Sequence, residues 1–412
     1  METDQKRALQ LATEAGHILL ENGAEISRVE DTMQRIASAF GVEEKDFFVL
    51  SNGIIATGQD YASAKFIPIQ GTQLSRVAAV NQLSRDITAG RVTLDELESR
   101  LKAIRHSPAK PWWEFILGIA IGVSSFCILF GGSLIDAAAT FTAGLFLGAF
   151  MAFVGPHLSR IFSNLLGGLV GGLLCLLIVR IGFGQHLPNM IIGTIIALVP
   201  GVPFTNGIRD LANEDYIAGA TRLLDAFLAF LCIALGVVIA LILHGALTGG
   251  LLQLGSPVVD ATASAWYIQM IAAYLGTVGF SVLFGANRRY YADCGLVGMA
   301  GWMVYLLLSS TYGVMSVAGS AFFGATVVAL GSHLLAVLKR CPVTVFLICG
   351  IIPLVPGGGI FWTAYYLVSN QLMLAATTGF TALKVTIAIA GGIIVAASIS
   401  NGINRLKSTS PR

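Results

Sequence analysis

The chain has 412 residues, a formal net charge of +2, 55% hydrophobic residues and only 12% charged ones. Charge is unevenly placed: residues 1–112 hold 13 Lys and Arg with 15 Asp and Glu, and the remaining 300 residues hold 12 and 8. This contrast predicts a soluble domain fused to a membrane domain, and the small net charge of each part argues against a nucleic-acid partner.

The first residues, METDQKRALQLATEAGH, lack the apolar core and cleavage site of a signal peptide, so the amino-terminal domain is expected in the cytoplasm. Residues 1–110 read as a compact α/β domain. Apolar positions recur at helical spacing from Leu9 to Leu20, and Gly23 is placed to end that helix. Ser27 and Glu30 have capping-box spacing before a second helix that Gly41 stops. Short strands are predicted over 47–50, 54–58 and 65–69, with Asn52-Gly53 as a hairpin turn. Helices over 73–88 and 94–105 come next, the latter opened by a Thr93–Glu96 capping box, and Ser107 to Pro111 form a linker.

The rest parses into ten apolar segments, near 114–131, 136–154, 163–181, 187–200, 217–244, 264–285, 294–311, 313–334, 343–356 and 372–400. A hydrocarbon core of about 30 Å needs about 20 helical residues, so most of these suffice to cross. The fourth and ninth are short, and both end at Val-Pro-Gly. With the amino-terminal domain inside, the cytoplasmic connections carry Arg160, Arg209, Arg222, Arg288, Arg289, Lys339 and Arg340, and the tail adds Arg405, Lys407 and Arg412. The opposite side has Arg180 alone, an asymmetry that supports this orientation, with both termini expected in the cytoplasm. All six cysteines lie in the apolar part with no CxxC pair and no clustered His, so neither a disulfide framework, a metal site nor a cofactor is expected.

The apolar part is written twice. Ile196 to Gly201 (IALVPG) recurs as Ile352 to Gly357 (IPLVPG), and G-x-x-x-F-x-x-L-F-G occurs at Gly122 to Gly131 and again at Gly276 to Gly285. The expected architecture is a polytopic α-helical membrane protein of ten transmembrane helices arranged as an inverted 5+5 repeat, preceded by the small soluble domain. Its parts are 1–110, a first unit over 111–250, a second inverted unit over 260–404 and a tail over 405–412. Inverted repeats build two gates from one design, which favours a carrier over a channel.

Two features mark candidate site residues. The first is the pair of Val-Pro-Gly units, Pro200 and Gly201 with Thr205 and Asn206, and Pro356, Gly357 and Gly358 with Thr363. A helix broken there at depth leaves carbonyls for a polar substrate, although Pro and Gly also serve as ordinary stops at a membrane face. The second is the pair of ionisable residues inside segments five and ten, Asp225 and Lys384, each costing about 2.5–3.5 kcal/mol at midplane unless partnered. They could neutralise one another across a pseudo-twofold axis, meet the two charges of a zwitterion or relay a proton; Asp225 could equally form a surface pair with Arg222.

Gly23-Ala24-Glu25-Ile26-Ser27-Arg28-Val29-Glu30-Asp31-Thr32, running into Arg35-Ile36-Ala37-Ser38-Ala39-Phe40-Gly41, resembles the signature of the threonine/serine exporter family, as does the whole plan of the chain. The resemblance implies efflux of small amino acids across the inner (plasma) membrane, driven by the proton gradient. Relatives split over two chains are linked to dicarboxylates such as succinate. With Lys384 the one deep cation, a zwitterion fits better than a dianion. Glu25, Arg28 and Glu30 are expected to dock or gate the domain against a loop such as Arg209-Asp210. A membrane-anchored hydrolase is the alternative from another class, but residues 1–110 hold no G-x-S-x-G, no P-loop and only His17 and His106, so a transporter is expected rather than an enzyme. Glycine-rich faces such as Gly167-Gly168 with Gly171-Gly172 suit rocking bundles and a homo-oligomer equally.

Overall fold

The computed structural model describes residues 2–58, 61–68, 71–248, 254, 265–309 and 315–409. The last tail residues, Arg412 among them, and the limits near 250 and 260 fall outside the described residues.

The amino-terminal part runs α1 (Glu2–Glu21), α2 (Ile26–Ala39), β1 (Lys45–Leu50), β2 (Gly53–Gly58), β3 (Tyr61–Phe66), α3 (Leu74–Thr88) and α4 (Leu94–Arg105). The strands form an antiparallel meander in the order β1-β2-β3. Leu9, Ile18, Met33, Ile36, Val77 and Leu97 fill a core of their own beneath it. Gly23 (φ +84°) and Gly41 (φ +75°) end α1 and α2 in the left-handed region, where a Cβ would be strained.

Local expectations fail at three points. Leu50 pairs with Gly53, so the hairpin loop is Ser51-Asn52 rather than Asn52-Gly53. The third strand is Tyr61–Phe66 rather than 65–69, because Gly58 pairs with Tyr61 and sets the register four residues earlier; Ile69 lies outside the described residues. The Ser27–Glu30 capping box does not form: Glu25 is the N-cap of α2, and the Glu30 carboxylate instead accepts the Val49 amide of β1 at 3.2 Å. The Thr93–Glu96 box is present at α4.

The apolar part runs α5 (Trp112–Leu129), α6 (Leu134–Phe153), α7 (Arg160–Arg180), α8 (Leu187–Ile195), α9 (Gly201–Ala212), α10 (Tyr216–Thr248), α11 (Trp266–Leu283), α12 (Tyr291–Leu308), α13 (Val317–Lys339), α14 (Val343–Ile351), α15 (Gly357–Val368) and α16 (Leu372–Thr409). Among the described residues eight helices are long and apolar enough to cross a membrane, and the count rises to ten if two bent pairs each make one span. Those pairs hold the fourth and ninth segments. Neither ends at its proline, since α8 continues through a 3-10 turn and a 66° bend into α9, and α14 continues likewise through a 54° bend into α15. Proline breaks a helix by removing a donor, yet is well tolerated at the start of the next one.

Close packing uses the small residues. A Cβ on Gly168 would meet the Ile233 carbonyl oxygen at 2.3 Å, and one on Gly172 would meet Ala240 at 2.9 Å, so this face seats α7 on α10 within the chain and is not free for a second copy. Helices α5 and α11 touch in opposite order: Gly118 faces Val282, Gly122 faces Phe280, and Gly276 faces Phe126. The rings of Phe126 and Phe280, equivalent positions of the sequence repeat, meet at 5.0 Å.

The amino-terminal domain sits against one end of the bundle. The first amides of α3 cap the end of α11, Leu74 donating to the Phe284 carbonyl at 2.9 Å and Ser75 to that of Gly285 at 3.0 Å. Each domain lends a residue to the other's core, Leu74 to the bundle and Ala218 to the soluble part.

Candidate functional site

The two breaks have the same backbone geometry. Val199 (φ −61°, ψ 127°) and Pro200 (φ −75°, ψ 60°) match Val355 (φ −60°, ψ 128°) and Pro356 (φ −74°, ψ 45°). Each proline centres an inverse γ-turn, closed by the Gly201 amide on the Val199 carbonyl at 2.8 Å and by the Gly357 amide on the Val355 carbonyl at 2.7 Å. The breaks also pack reciprocally: a Cβ on Gly201 would lie 2.7 Å from Ile352 Cδ1, and one on Gly357 2.9 Å from Ile196 Cδ1.

This geometry exposes both kinds of backbone group. The first bond into α9 runs from the Phe204 amide to the Pro200 carbonyl, and the first into α15 from the Ile360 amide to the Pro356 carbonyl. The amides of Val202, Gly358 and Gly359 therefore precede the helical ladder, and the carbonyls of Ala197, Leu198, Pro353 and Leu354 stand at the end of the preceding turn, where a helix leaves such groups without an intrahelical partner. Free amides at the start of a helix sit at its positive dipole end and suit a carboxylate, while free carbonyls suit an ammonium. Both kinds lie within one turn of chain at each break, with no ionised side chain required.

Thr205 and Asn206 on α9 are buried, as is Trp362 on α15. Thr205 Oγ1, Asn206 Oδ1 and Trp362 Nε1 have no hydrogen-bond partner among the described residues. The Thr363 hydroxyl is used within its helix, donating to the Gly359 carbonyl at 2.8 Å. A crevice of about 690 Å³ runs from the side of the amino-terminal domain to residues 197–203 of the first break. Its polar walls are Thr72 and Gln73 of the soluble domain and Arg160, Ser163 and Asn164 at the start of α7.

Asp225 and Lys384 do not meet. Asp225 is half-exposed and pairs with Arg160 at 3.2 Å, which places it beside the crevice mouth through Arg160 rather than at a break. It makes no pair with Arg222 either, because that side chain is engaged elsewhere. Lys384 is exposed on α16 next to exposed Leu383, with Phe380 and Ile387 one turn away on either side, and makes no ion pair among the described residues.

A cluster of buried charges lies between α9, α10 and the turn before α2. Arg222 and Asp210 are 4% and 0% exposed and form an ion pair. Arg222 also donates to the Ala24 carbonyl at 2.9 Å, Asp210 accepts the Ile26 amide at 3.3 Å, and Asn206 Nδ2 donates to the Gly23 carbonyl at 2.7 Å. Glu25 bridges Arg28 at 2.9 Å and Arg209 at 2.6 Å. Burial pushes the Glu25 carboxyl up, but Arg209 and Arg28 outweigh it and hold it below its ordinary value. The Gly23-Ala24-Glu25 triplet is thus one of the pieces of the amino-terminal domain that the bundle grips. Glu30 faces β1, away from this cluster's ion pairs.

Two further polar centres lie outside the sequence-derived set. Glu114 on α5 accepts from Arg288 and, at 2.8 Å, from the Tyr291 hydroxyl, tying the first half to the second. Asp136 at the start of α6 accepts the amides of Gln185 and His186 and lies 2.7 Å from His186 Nδ1. Both acids stand at the margins of apolar segments, where sequence reading treats a charge as solvated.

The family described as "Putative threonine/serine exporter" matches residues 10–244, and that described as "Threonine/Serine exporter, ThrE" matches residues 269–399. The chain is 24% identical to the "Threonine/serine exporter" of Corynebacterium glutamicum over 96% of its own length and 83% of that protein. It is 27% identical to the "Probable succinate transporter subunit YjjP" of Escherichia coli (strain K12) over 60% of its length and 98% of that protein. It is 23% identical to the "Probable threonine/serine exporter" of Mycobacterium tuberculosis over 97% of its length and 78% of that protein. No solved structure matches it significantly. With a model of the family covering more than half of its length, and the helix content of a multi-pass membrane protein, the chain belongs to the threonine/serine exporter family.

Proposed function

We propose that this protein is a secondary transporter that exports small amino acids of the L-threonine and L-serine type from a site at the two Val-Pro-Gly breaks. The observation that carries the reading is the matching geometry of the two breaks, each of which brings helix-end carbonyls and helix-start amides together at a proline. A zwitterion presents one group for each, whereas a dicarboxylate leaves the carbonyls unmatched and needs more cations than Arg160 at the crevice wall. The side-chain hydroxyl of the substrate has Thr205 Oγ1, Asn206 Oδ1 and Trp362 Nε1 as unengaged partners.

In this account the two halves are inverted copies of one five-helix unit. The opposed order of contacts along α5 and α11, and the reciprocal seating of Gly201 and Gly357, support that relation. The crevice opens beside the amino-terminal domain, which the charge asymmetry puts in the cytoplasm with the carboxyl terminus, across the inner membrane. On the same side α16 touches α9 only marginally, while α10 packs closely along α15. The conformation is therefore one that loads from the cytoplasm, as an exporter must, and the proton gradient is the driving force the family resemblance implies. The Gly23–Glu25 turn, held by Asn206 and Arg222, couples the soluble domain to the helix that carries the first break and acts as its gate.

A dicarboxylate reading is kept alive by the likeness to the succinate-named relative over 60% of the chain. Melting of the purified full chain separates the two: ligand at about 100 times its Kd adds about 2.7 kcal/mol to the folded state. L-serine and L-threonine are expected to raise the melting temperature by several degrees and succinate to leave it unchanged; stabilisation by succinate alone would transfer the site to dicarboxylates.

A further inference from the structure

Where the soluble domain meets the second half of the bundle, arginines arrive from five separate places. Arg85 comes from α3, Arg91 from the turn after it, Arg100 from α4, Arg289 from the turn before α12, and Arg340 from the turn after α13. They line two adjoining crevices of about 420 and 340 Å³ that share Gln82, Arg85, Asp86 and Arg340. Asp86 is the one carboxylate in either wall, and it is divided between Arg91 at 3.7 Å and Arg100 at 3.8 Å. Arg85, Arg289 and Arg340 have no carboxylate partner among the described residues. Arg85 donates to Gln82 and to the Arg340 carbonyl, and Arg289 lies over the Tyr290 ring at 4.5 Å.

Five guanidinium groups against one carboxylate repel one another unless an anion joins them, and planar guanidinium forks match phosphate oxygens. Positive charge on the cytoplasmic side of a membrane protein is expected in general, but scattered loop charges need not converge on one concavity. The wall next to Arg340 supplies the second observation. Val337 lines the smaller crevice and is 70% exposed, with Leu334 and Leu338 beside it at 61% and 66%, all on the last turns of the membrane-spanning α13. An apolar, outward-facing helix end meeting a cationic hollow is the surface that an acyl chain and its phosphate would cover together.

We propose that this crevice binds the phosphate headgroup of an anionic phospholipid, with Arg85, Arg289 and Arg340 as the principal contacts and the acyl chains lying on the α13 end. Because Arg85 belongs to the soluble domain and Arg289 and Arg340 to the bundle, the lipid would fasten one to the other. Its removal is then expected to loosen the domain at this contact.

The test is native mass spectrometry of the full chain in detergent, titrated with phosphatidylglycerol, phosphatidylcholine or inorganic phosphate. Phosphatidylglycerol is expected to bind in preference to phosphatidylcholine. Each arginine near the surface contributes about 1 kcal/mol, so Arg289→Gln/Arg340→Gln should weaken that binding about 25-fold. The remote Arg35→Gln should leave it unchanged, and Arg289→Lys/Arg340→Lys should retain most of it, which separates loss of charge from loss of fold. Equal binding of the two lipids, or undiminished phosphatidylglycerol binding in the double glutamine variant, would overturn the proposal. Saturation by inorganic phosphate that excludes phosphatidylglycerol would assign the site to a soluble phosphate and overturn the lipid assignment.

Discussion

Replacing Arg222 by alanine is expected to destabilise the full chain by about 3–5 kcal/mol, because it strands the Asp210 carboxylate at 0% exposure with the Ile26 amide as its remaining partner. The Ala24 carbonyl loses its donor in the same step, so the grip on the soluble domain loosens as well. Removing both charges is expected to cost much less than the sum of the single changes, since Arg222→Ala/Asp210→Ala leaves no unpaired buried ion. A double-mutant cycle on the melting of the detergent-purified protein checks this, and additive single costs would show that the two groups do not act as a pair. Glu25 has the opposite kind of pH dependence from a group that gains a proton on folding. Its carboxyl is held low, so its contribution is fully present above the ordinary value of 4.5 and is lost only as pH falls through the lower folded value. The part of the docking that rests on Glu25 is therefore expected to hold steady across the neutral range and to weaken in acid.

Leucine at Gly201 or Gly357 is expected to reduce exchange at least about tenfold, the equivalent of about 1.4 kcal/mol, while leaving a folded protein. An alanine Cβ would come too close only to the tip of Ile352 or Ile196, at 2.7 and 2.9 Å, which a flexible side chain can yield. A leucine cannot be accommodated that way, and it covers the free amides at the start of α9 or α15. Adding Ile352→Ala to Gly201→Leu is expected to restore the melting temperature without restoring exchange. Recovery of both together would mean that the glycine serves packing alone. The effect at Gly357 should parallel that at Gly201, because the two breaks share one backbone geometry.

The breaks are legible in the sequence because proline and glycine act through the backbone: a repeated Val-Pro-Gly repeats the turn wherever it falls. The path of the chain beyond each proline is less legible. A stop and a bend look alike in one dimension, and α9 carries Thr205, Asn206, Arg209 and Asp210, which read as a polar exit from the membrane. The structure instead buries Asn206 and Asp210 under the Gly23–Ile26 turn. That turn explains a part of the amino-terminal signature that capping could not, since Gly23 and Ala24 act through their carbonyls and any residue type can offer one. Glu30 illustrates the opposite error. Its spacing from Ser27 satisfies a local rule, but the β1 amide competes for the same carboxylate and wins. Asp225 and Lys384 are the charges whose burial would cost most, and neither is buried; Arg222, three residues before Asp225, is buried instead, together with its partner Asp210. Burial cost identifies a residue that needs a partner, but helical phase decides which of two neighbours turns inward.

Counterflow tests the account most directly: uptake of labelled L-threonine into vesicles that contain the purified full chain and trapped unlabelled L-serine. The paired-break carrier predicts transient accumulation of label above equilibrium, at a rate cut at least about tenfold by Gly201→Leu and by Gly357→Leu alike. Folded protein that shows no trans-stimulation by either amino acid, or that exchanges succinate alone, would contradict it.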